Sequence, residues 1–234
     1  MFPLLRYFSL TSAGAIIAVT AILTYYEWTQ SQSDLADLAG QSNISLARAF
    51  SNTIWPIYAD RIIAIENGEL SEDERLKTVG EIDTAIRTLV AGLPILKVRI
   101  DGPNAINVYS SEPSQIGQSK ALDERYKFAV ESKIATFRMS DRATFYAFEG
   151  IVPNKTVVET YLPIVSEDGT VAGVIELYHD VTEKSAELAR GAAITAATVF
   201  SLLLVLYIAL YLIVRRASNV LKQQYAAIEH SRGC

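Results

Sequence analysis

The spacing of apolar and polar positions changes period along the chain. Two uncharged apolar runs, Tyr7 to about Tyr26 and Gly191 to Val214, are each long enough to cross a hydrocarbon core of about 30 Å as a helix. Tyr25, Tyr26 and Trp28 flank the first like an interfacial belt, so it reads as an uncleaved span and not as a signal peptide. From Asp34, apolar or small residues recur with a period of about 3.6 at Leu35, Leu38, Ser42, Leu46, Ala49, Phe50, Thr53, Ile54, Ile57, Tyr58, Ile62 and Ile65. This predicts an amphipathic helix continuing from the first span. Gly40 and Pro56 interrupt it, and Pro56, which cannot donate a helical hydrogen bond, is expected to kink or break it near Trp55. Ser71-Glu72-Asp73-Glu74 has the form of a capping box for a second helix carrying Leu76, Val79, Ile82, Ile86 and Leu89, ended by Gly92 and Pro94.

Beyond Ile95 the period falls to two. LKVRI, a turn at Asp101-Gly102-Pro103-Asn104 and INVYSS predict a hairpin, followed by the polar loop SSEPSQIG and a helix over 121–132. Strands are expected at 133–140 and 143–151, with a turn at Asp141-Arg142. The strongest signal is the pair of β-branched runs around Asp168-Gly169. A two-residue turn there sets Glu159 opposite Tyr178 and Tyr161 opposite Glu176, all on one face, with Val158, Thr160, Leu162, Ile175 and Leu177 on the core face. Asp180 and Glu183 repeat the capping-box spacing before a helix running into the second span. Past Arg216 a heptad seam continues through Ala217, Val220 or Leu221, Gln224, Ala227 and Ile228. The order predicts an α+β domain with a mainly antiparallel sheet, its long N-terminal helix and last strand joined to two transmembrane helices. Its bounds are a terminus at 1–6, spans at 7–28 and 191–214, the domain at 29–183, a juxtamembrane helix at 184–190 and a helical stub at 215–234.

Charge orients this layout. The chain of 234 residues has a net charge of −5, and 29–190 holds 16 Lys/Arg against 24 Asp/Glu. Arg6 precedes the first span, whereas Arg215, Arg216, Lys222 and Arg232 follow the second. Positive flanks mark the cytoplasmic side, so both termini are expected inside and the domain outside, as in a bacterial inner-membrane protein with a periplasmic domain. The acidic domain excludes the basic stripe that a nucleic-acid partner needs. The lone cysteine, Cys234, excludes an intrachain disulfide or a Cys-based metal site. His179 and His230 fall on opposite sides of the membrane, so they share no zinc. His179 reads as a surface residue and His230 as a solvated tail residue. No Gly-x-Ser-x-Gly turn or Gly-rich phosphate loop occurs, and no cofactor, metal or catalytic role is expected.

Binding chemistry is concentrated on the strands. Glu159 and Glu176 suit a cationic or ammonium group, and a paired-carboxylate acid/base site is the enzymatic alternative. Arg99 and Arg138 are candidates to clamp a carboxylate with parallel hydrogen bonds. Parity puts Arg99 with Lys97 and Asp101, opposite Val98 and Ile100, where a solvated strand face is the competing expectation. Tyr109, Tyr146, Tyr161 and Tyr178 would supply walls with hydroxyl handles, or serve only as strand-forming residues.

Three strings, NISLARAFSNTIWPIYAD, VYSSEPSQIGQ and ETYLPIV…GVIELYHDVT, resemble the extracytoplasmic Cache (PAS-like, PDC-type) sensor domains of bacterial histidine kinases, chemoreceptors and diguanylate cyclases. The resemblance covers roughly residues 29–183. It implies a PAS-like sheet, a small-molecule ligand and a cytoplasmic signalling output. The side chains above make that ligand a carboxylate or an amine. The long helix, the tail seam and the small residues Gly191, Ala192, Ala196 and Ala197 of the second span suggest a homodimer in the membrane. This chain departs from the pattern after Arg216, where no cyclase signature, phosphoacceptor region or ATP-binding region follows. A membrane-anchored subunit whose periplasmic domain binds another protein is the alternative from a different class.

Overall fold

The computed structural model describes residues 3–232, with side chains described for Tyr7 and for 9–220. The chain divides into two units, Gln32–Ala186 and the pair of segments flanking it. Two helices are long and apolar enough to cross a membrane, the first part of α1 (Pro3–Glu66) and α4 (Thr182–Arg232). Within the flanking unit the hydroxyls of Ser9 and Tyr207 lie 2.5 Å apart. The Leu221–Ile228 seam, His230, Arg6 and Cys234 lie outside the described side chains.

Between those segments the order is the rest of α1, α2 (Glu72–Val90), β1 (Ile95–Asp101), β2 (Asn107–Ser110), α3 (Glu124–Ser132), β3 (Thr136–Ala147), β4 (Gly150–Val165) and β5 (Val171–Asp180). The five strands form one antiparallel sheet in the order β2-β1-β5-β4-β3. This is the expected α+β architecture, with its long N-terminal helix and mainly antiparallel sheet. Local chemistry sets several boundaries. Ser71 and Glu74 form the expected capping box on α2, and Asp123 accepts from the N–H groups of Arg125 and Tyr126 to start α3. The Asp180 carboxylate accepts from the Thr182 N–H at 2.9 Å, where β5 gives way to α4.

One face of the sheet packs on α1 and α2. Ala47, Phe50, Ile54 and Ile62 from α1, and Ile82 and Ile86 from α2, meet Val98, Ile100, Leu162, Ile175 and Leu177. The buried side of α1 is therefore turned slightly from the expected stripe. Ala39, Asn43 and Ala47 are buried, whereas Leu38 and Ile57 are 73% and 61% exposed. Pro56 does not break the helix. It is exposed, so the carbonyl of exposed Asn52 that loses its partner can turn to water. Gly40 is where a Cβ would collide with the Phe137 ring, so it marks close packing, not a break in the helix.

The register Glu159–Tyr178 and Tyr161–Glu176 is as expected, and the turn is not. Asp168 keeps a negative φ, and only Gly169 takes the left-handed conformation (φ 81°), closing onto the Ser166 carbonyl. A bulge at Ile164/Val165 opposite Val171 then restores the pairing. The strands expected at 133–140 and 143–151 are one strand and the start of the next. β3 runs through Asp141-Arg142, and the chain turns at Phe148-Glu149 before Gly150 (φ 112°). Two cross-strand partners keep 141 and 142 in the sheet: Thr156 donates to Asp141, and Arg142 reaches Glu159.

Candidate functional site

The second face of the sheet is polar, and most of it is buried. On β1, Lys97, Arg99 and Asp101 alternate with the apolar Val98 and Ile100, and their exposures are 6%, 4% and 0%. The expectation of a solvated Arg99 is corrected. α3 and the segment leading to it cover this face, with Tyr126 and Ala129 packing on Tyr161 and Val174. On β5 the same face carries Glu176 and Tyr178, on β4 Glu159 and Tyr161, and on β3 Arg138, Ser140 and Arg142.

Part of this face and the α3 segment line an open cavity of about 370 Å³. Its lining holds four cationic side chains, Lys120, Arg125, Arg138 and Arg142, three acidic ones, Asp123, Glu124 and Glu159, and the rings of Tyr161 and Tyr178. Glu159 is gripped from one side by β3. Ser140 donates to it at 2.8 Å, Arg138 lies at 3.4 Å, and Arg142 hydrogen-bonds the same carboxylate. Burial works against the ionised form, but the hydrogen bonds from Arg142 and Ser140 and the two positive charges outweigh it. The carboxyl is held below its ordinary value.

Beneath the cavity lies a second charged cluster. Tyr178 donates to Glu176 Oε2 at 2.7 Å, Arg99 Nε is 3.8 Å from the same oxygen, and Lys120 Nζ is 3.4 Å from Oε1. Arg99 Nη2 and Asn107 Nδ2 both reach Asp101 Oδ1, at 3.4 and 3.0 Å. Burial, reinforced by the charge of Glu176, pushes the Asp101 carboxyl up to about 8, against the pull of Arg99. Burial likewise raises the hydroxyls of Tyr161 and Tyr178, so both remain donors.

Six of the eight residues singled out from the sequence therefore share this face: Arg99, Arg138, Glu159, Tyr161, Glu176 and Tyr178. Two do not. Tyr109 is buried on the helix side, where its hydroxyl donates to Asp83 of α2 at 2.9 Å. Tyr146 is 48% exposed and does not line the cavity. Near its β4 partner, Asn154 takes a positive φ (49°), and it is Phe145 and Ala147 that turn in against Tyr178. His179 is half-buried, its ring facing Asn43 of α1. Arg142, Ser140, Asp101 and Lys120 were missed. Alternation carried on from Arg138 would have found Ser140 and Arg142. Lys120 lies in a loop and has no such signal.

No protein-family model and no curated protein matches the sequence. Solved structures similar to it include the sensor domain of the Vibrio cholerae histidine kinase DctB, at 13% identity and a TM-score of 0.40, covering 69% of this chain and 57% of that one. The extracellular domain of the putative histidine kinase vpHK1S-Z8 matches at 14% identity and 0.40, covering 75% and 62%. The Escherichia coli DcuS sensor domain matches at 15% identity and 0.32, covering 46% and 68%. Of these three, the DctB and DcuS structures are sensor domains, and DctB and vpHK1S-Z8 carry the name of histidine kinases. At such identities and TM-scores the ligand chemistry has to be read from this chain's own side chains.

Proposed function

We propose that the chain is the input module of a membrane signalling receptor, whose domain binds a small carboxylate outside the cytoplasm and passes a conformational shift to the second span. The observation that carries this reading is the convergence of Arg138 and Arg142 on Glu159 in the wall of the cavity. Guanidinium groups that grip a protein carboxylate have the geometry to grip a ligand carboxylate, with Glu159 as the internal competitor. Asp123 and Glu124 line the same cavity and suit an ammonium, so amino acids fall within the class. A non-catalytic role is supported by the way both candidate acid/base carboxyls are engaged, Glu159 by two arginines and a serine, Glu176 by Tyr178.

Transmission follows from connectivity. β5 carries Glu176 and Tyr178, and α4 begins two residues after β5 ends. A ligand that binds one position of β5 better than another by a few kcal/mol shifts the population of the span. In this reading both termini are cytoplasmic, the receptor works as a homodimer in a bacterial inner membrane, and a cytoplasmic output domain or protein receives the signal.

The test is a thermal-shift screen of the full chain in detergent against small carboxylates, amino acids, amines and purines. At about a hundred times its dissociation constant a ligand adds about 2.7 kcal/mol of stability. A carboxylate hit lost in Arg138→Ala/Arg142→Ala and kept in Tyr146→Ala is the expected result. A folded chain silent to every class would overturn the reading in favour of a protein partner.

A further inference from the structure

Among the buried polar atoms of the cluster below the cavity, four have no hydrogen-bond partner: the oxygens Asp101 Oδ2, Glu176 Oε1 and Asn107 Oδ1, and the donor Arg99 Nε, which lies 3.8 Å from Glu176 Oε2. Asp101 and Glu176 are both fully buried. Each carboxyl satisfies its other oxygen, Asp101 Oδ1 through Asn107 and Arg99, and Glu176 Oε2 through Tyr178. Two facing carboxylates offer only acceptors, so neither can satisfy the other. One proton changes that: as an acid, Asp101 can donate to Glu176, and a single hydrogen bond then serves both carboxyl oxygens left over. The arithmetic of charge agrees. Arg99 is the cation shared by the pair, and Lys120 Nζ approaches Glu176 Oε1 without hydrogen-bonding it.

We infer that Asp101 is a proton-binding site beneath the cavity, holding its proton in a hydrogen bond to Glu176. The surrounding charges are consistent with this. On its own strand the pair faces Arg99 and, next to it, Lys97, which is itself tied to Glu112 at 2.7 Å. Lys120 and Asp123 reach in from the segment before α3, Tyr126 from α3, Glu159 and Tyr161 from β4, and Tyr178 from β5. Lys120 is divided between Asp123 at 3.0 Å and Glu176, so it does not neutralise the pair alone. The raised value of Asp101, about 8, follows from the same burial and the same neighbour.

Release of the proton leaves two carboxylates beneath a cavity whose arginines favour an anion. An anionic ligand therefore binds less tightly once the proton is gone, and binding promotes its uptake. That regulatory consequence rests on the receptor reading above; the proton site does not.

The experiment is difference infrared spectroscopy on the full chain in lipid nanodiscs, stepping the pH between 6.5 and 9 without any ligand. The expected result is a carboxylic-acid carbonyl band present at pH 6.5 and lost with a midpoint near 8, as that shift implies. Asp101→Asn, whose amide can donate to Glu176 in place of the acid, removes the band. Glu176→Gln removes the neighbouring charge and moves the midpoint down. A wild-type spectrum with no such band at pH 6.5, or a band unchanged to pH 9, overturns the inference even if neither variant folds. So does a band that survives in a folded Asp101→Asn chain. A ligand screen that fails while the band titrates would remove the receptor reading and leave the proton site standing.

Discussion

Asn43 of α1 and His179 of β5 meet side chain to side chain, Oδ1 to Nδ1 at 2.8 Å. The Asn43 amide also donates to the Val158 carbonyl at 3.2 Å and to Thr160 Oγ1 at 3.0 Å. One fully buried amide thus ties the long helix to both strands that carry the cavity wall. With Oδ1 the acceptor, His179 donates through Nδ1, which fixes the tautomer of the neutral ring.

Asn43→Ala is expected to cost about 1–3 kcal/mol, because it leaves Thr160 and His179 without their buried partner. The loss is read by chemical denaturation. Asn43→Asp should differ in kind: a buried carboxylate beside His179 raises the imidazole's pKa, which burial lowers in the wild type.

Glu159 predicts an acid-sensitive fold. Its carboxyl is depressed in the folded state, so the stabilisation is fully present above the unfolded value near 4.5 and is lost as pH falls through the folded value. Glu159→Gln should flatten that acid limb. Arg138→Ala/Arg142→Ala leaves the buried Glu159 carboxylate with Ser140 alone. It should cost about 1–3 kcal/mol near neutrality, the half-exposed arginines being screened, recovered in part by adding Glu159→Gln. Recovery that fails would show that the arginines contribute packing and not charge pairing.

Asp101 predicts the opposite slope on the alkaline side. Its folded value, about 8, lies above the ordinary 3.8, so the folded state binds the extra proton between them and stability falls as pH rises across that interval. His179, lowered by burial, works the other way, but only below its ordinary 6.5. Between pH 7 and 8.5 the Asp101 contribution stands apart. Stability read by thermal unfolding over that range should drop for the wild type, and much less for Asp101→Asn, a difference of about 1 kcal/mol.

Gly173 of β5 predicts a steric test of the link between α1 and the sheet. A Cβ there would lie 2.6 Å from the Trp55 ring and 2.8 Å from the Asp101 carbonyl. Gly173→Ala should cost about 1–3 kcal/mol. Adding Trp55→Leu should recover only part of this, because the Asp101 backbone cannot move aside without disturbing β1.

Much of this fold is legible in the order of residues because the signals are local. Uncharged runs of spanning length, Ser71 three residues before Glu74, and strict alternation from Thr156 to Asp180 each act within one element or one hairpin. Alternation is enough to bring Glu159, Tyr161, Glu176 and Tyr178 onto one face, and to separate Arg99 from Val98 and Ile100. Arg138 is legible only as a strand arginine, and its place on that face comes from the pairing of β3 with β4.

What alternation cannot show is whether a face is wet or covered. Arg99 is buried because α3 and the loop before it close over β1 and β5, and nothing along LKVRI encodes that lid. Tyr109 has the strand signal of Tyr161, yet it points at Asp83, because β2 is the edge strand that meets α2. Tyr146 is turned outward and Phe145 inward near Asn154, whose positive φ is a single-residue event. The pairing of two buried carboxyls, Asp101 and Glu176, depends on β1 and β5 lying side by side with 74 residues of chain between them. Period and polarity are set by neighbours a few positions apart, whereas burial and charge coupling are set by whatever the rest of the chain brings alongside.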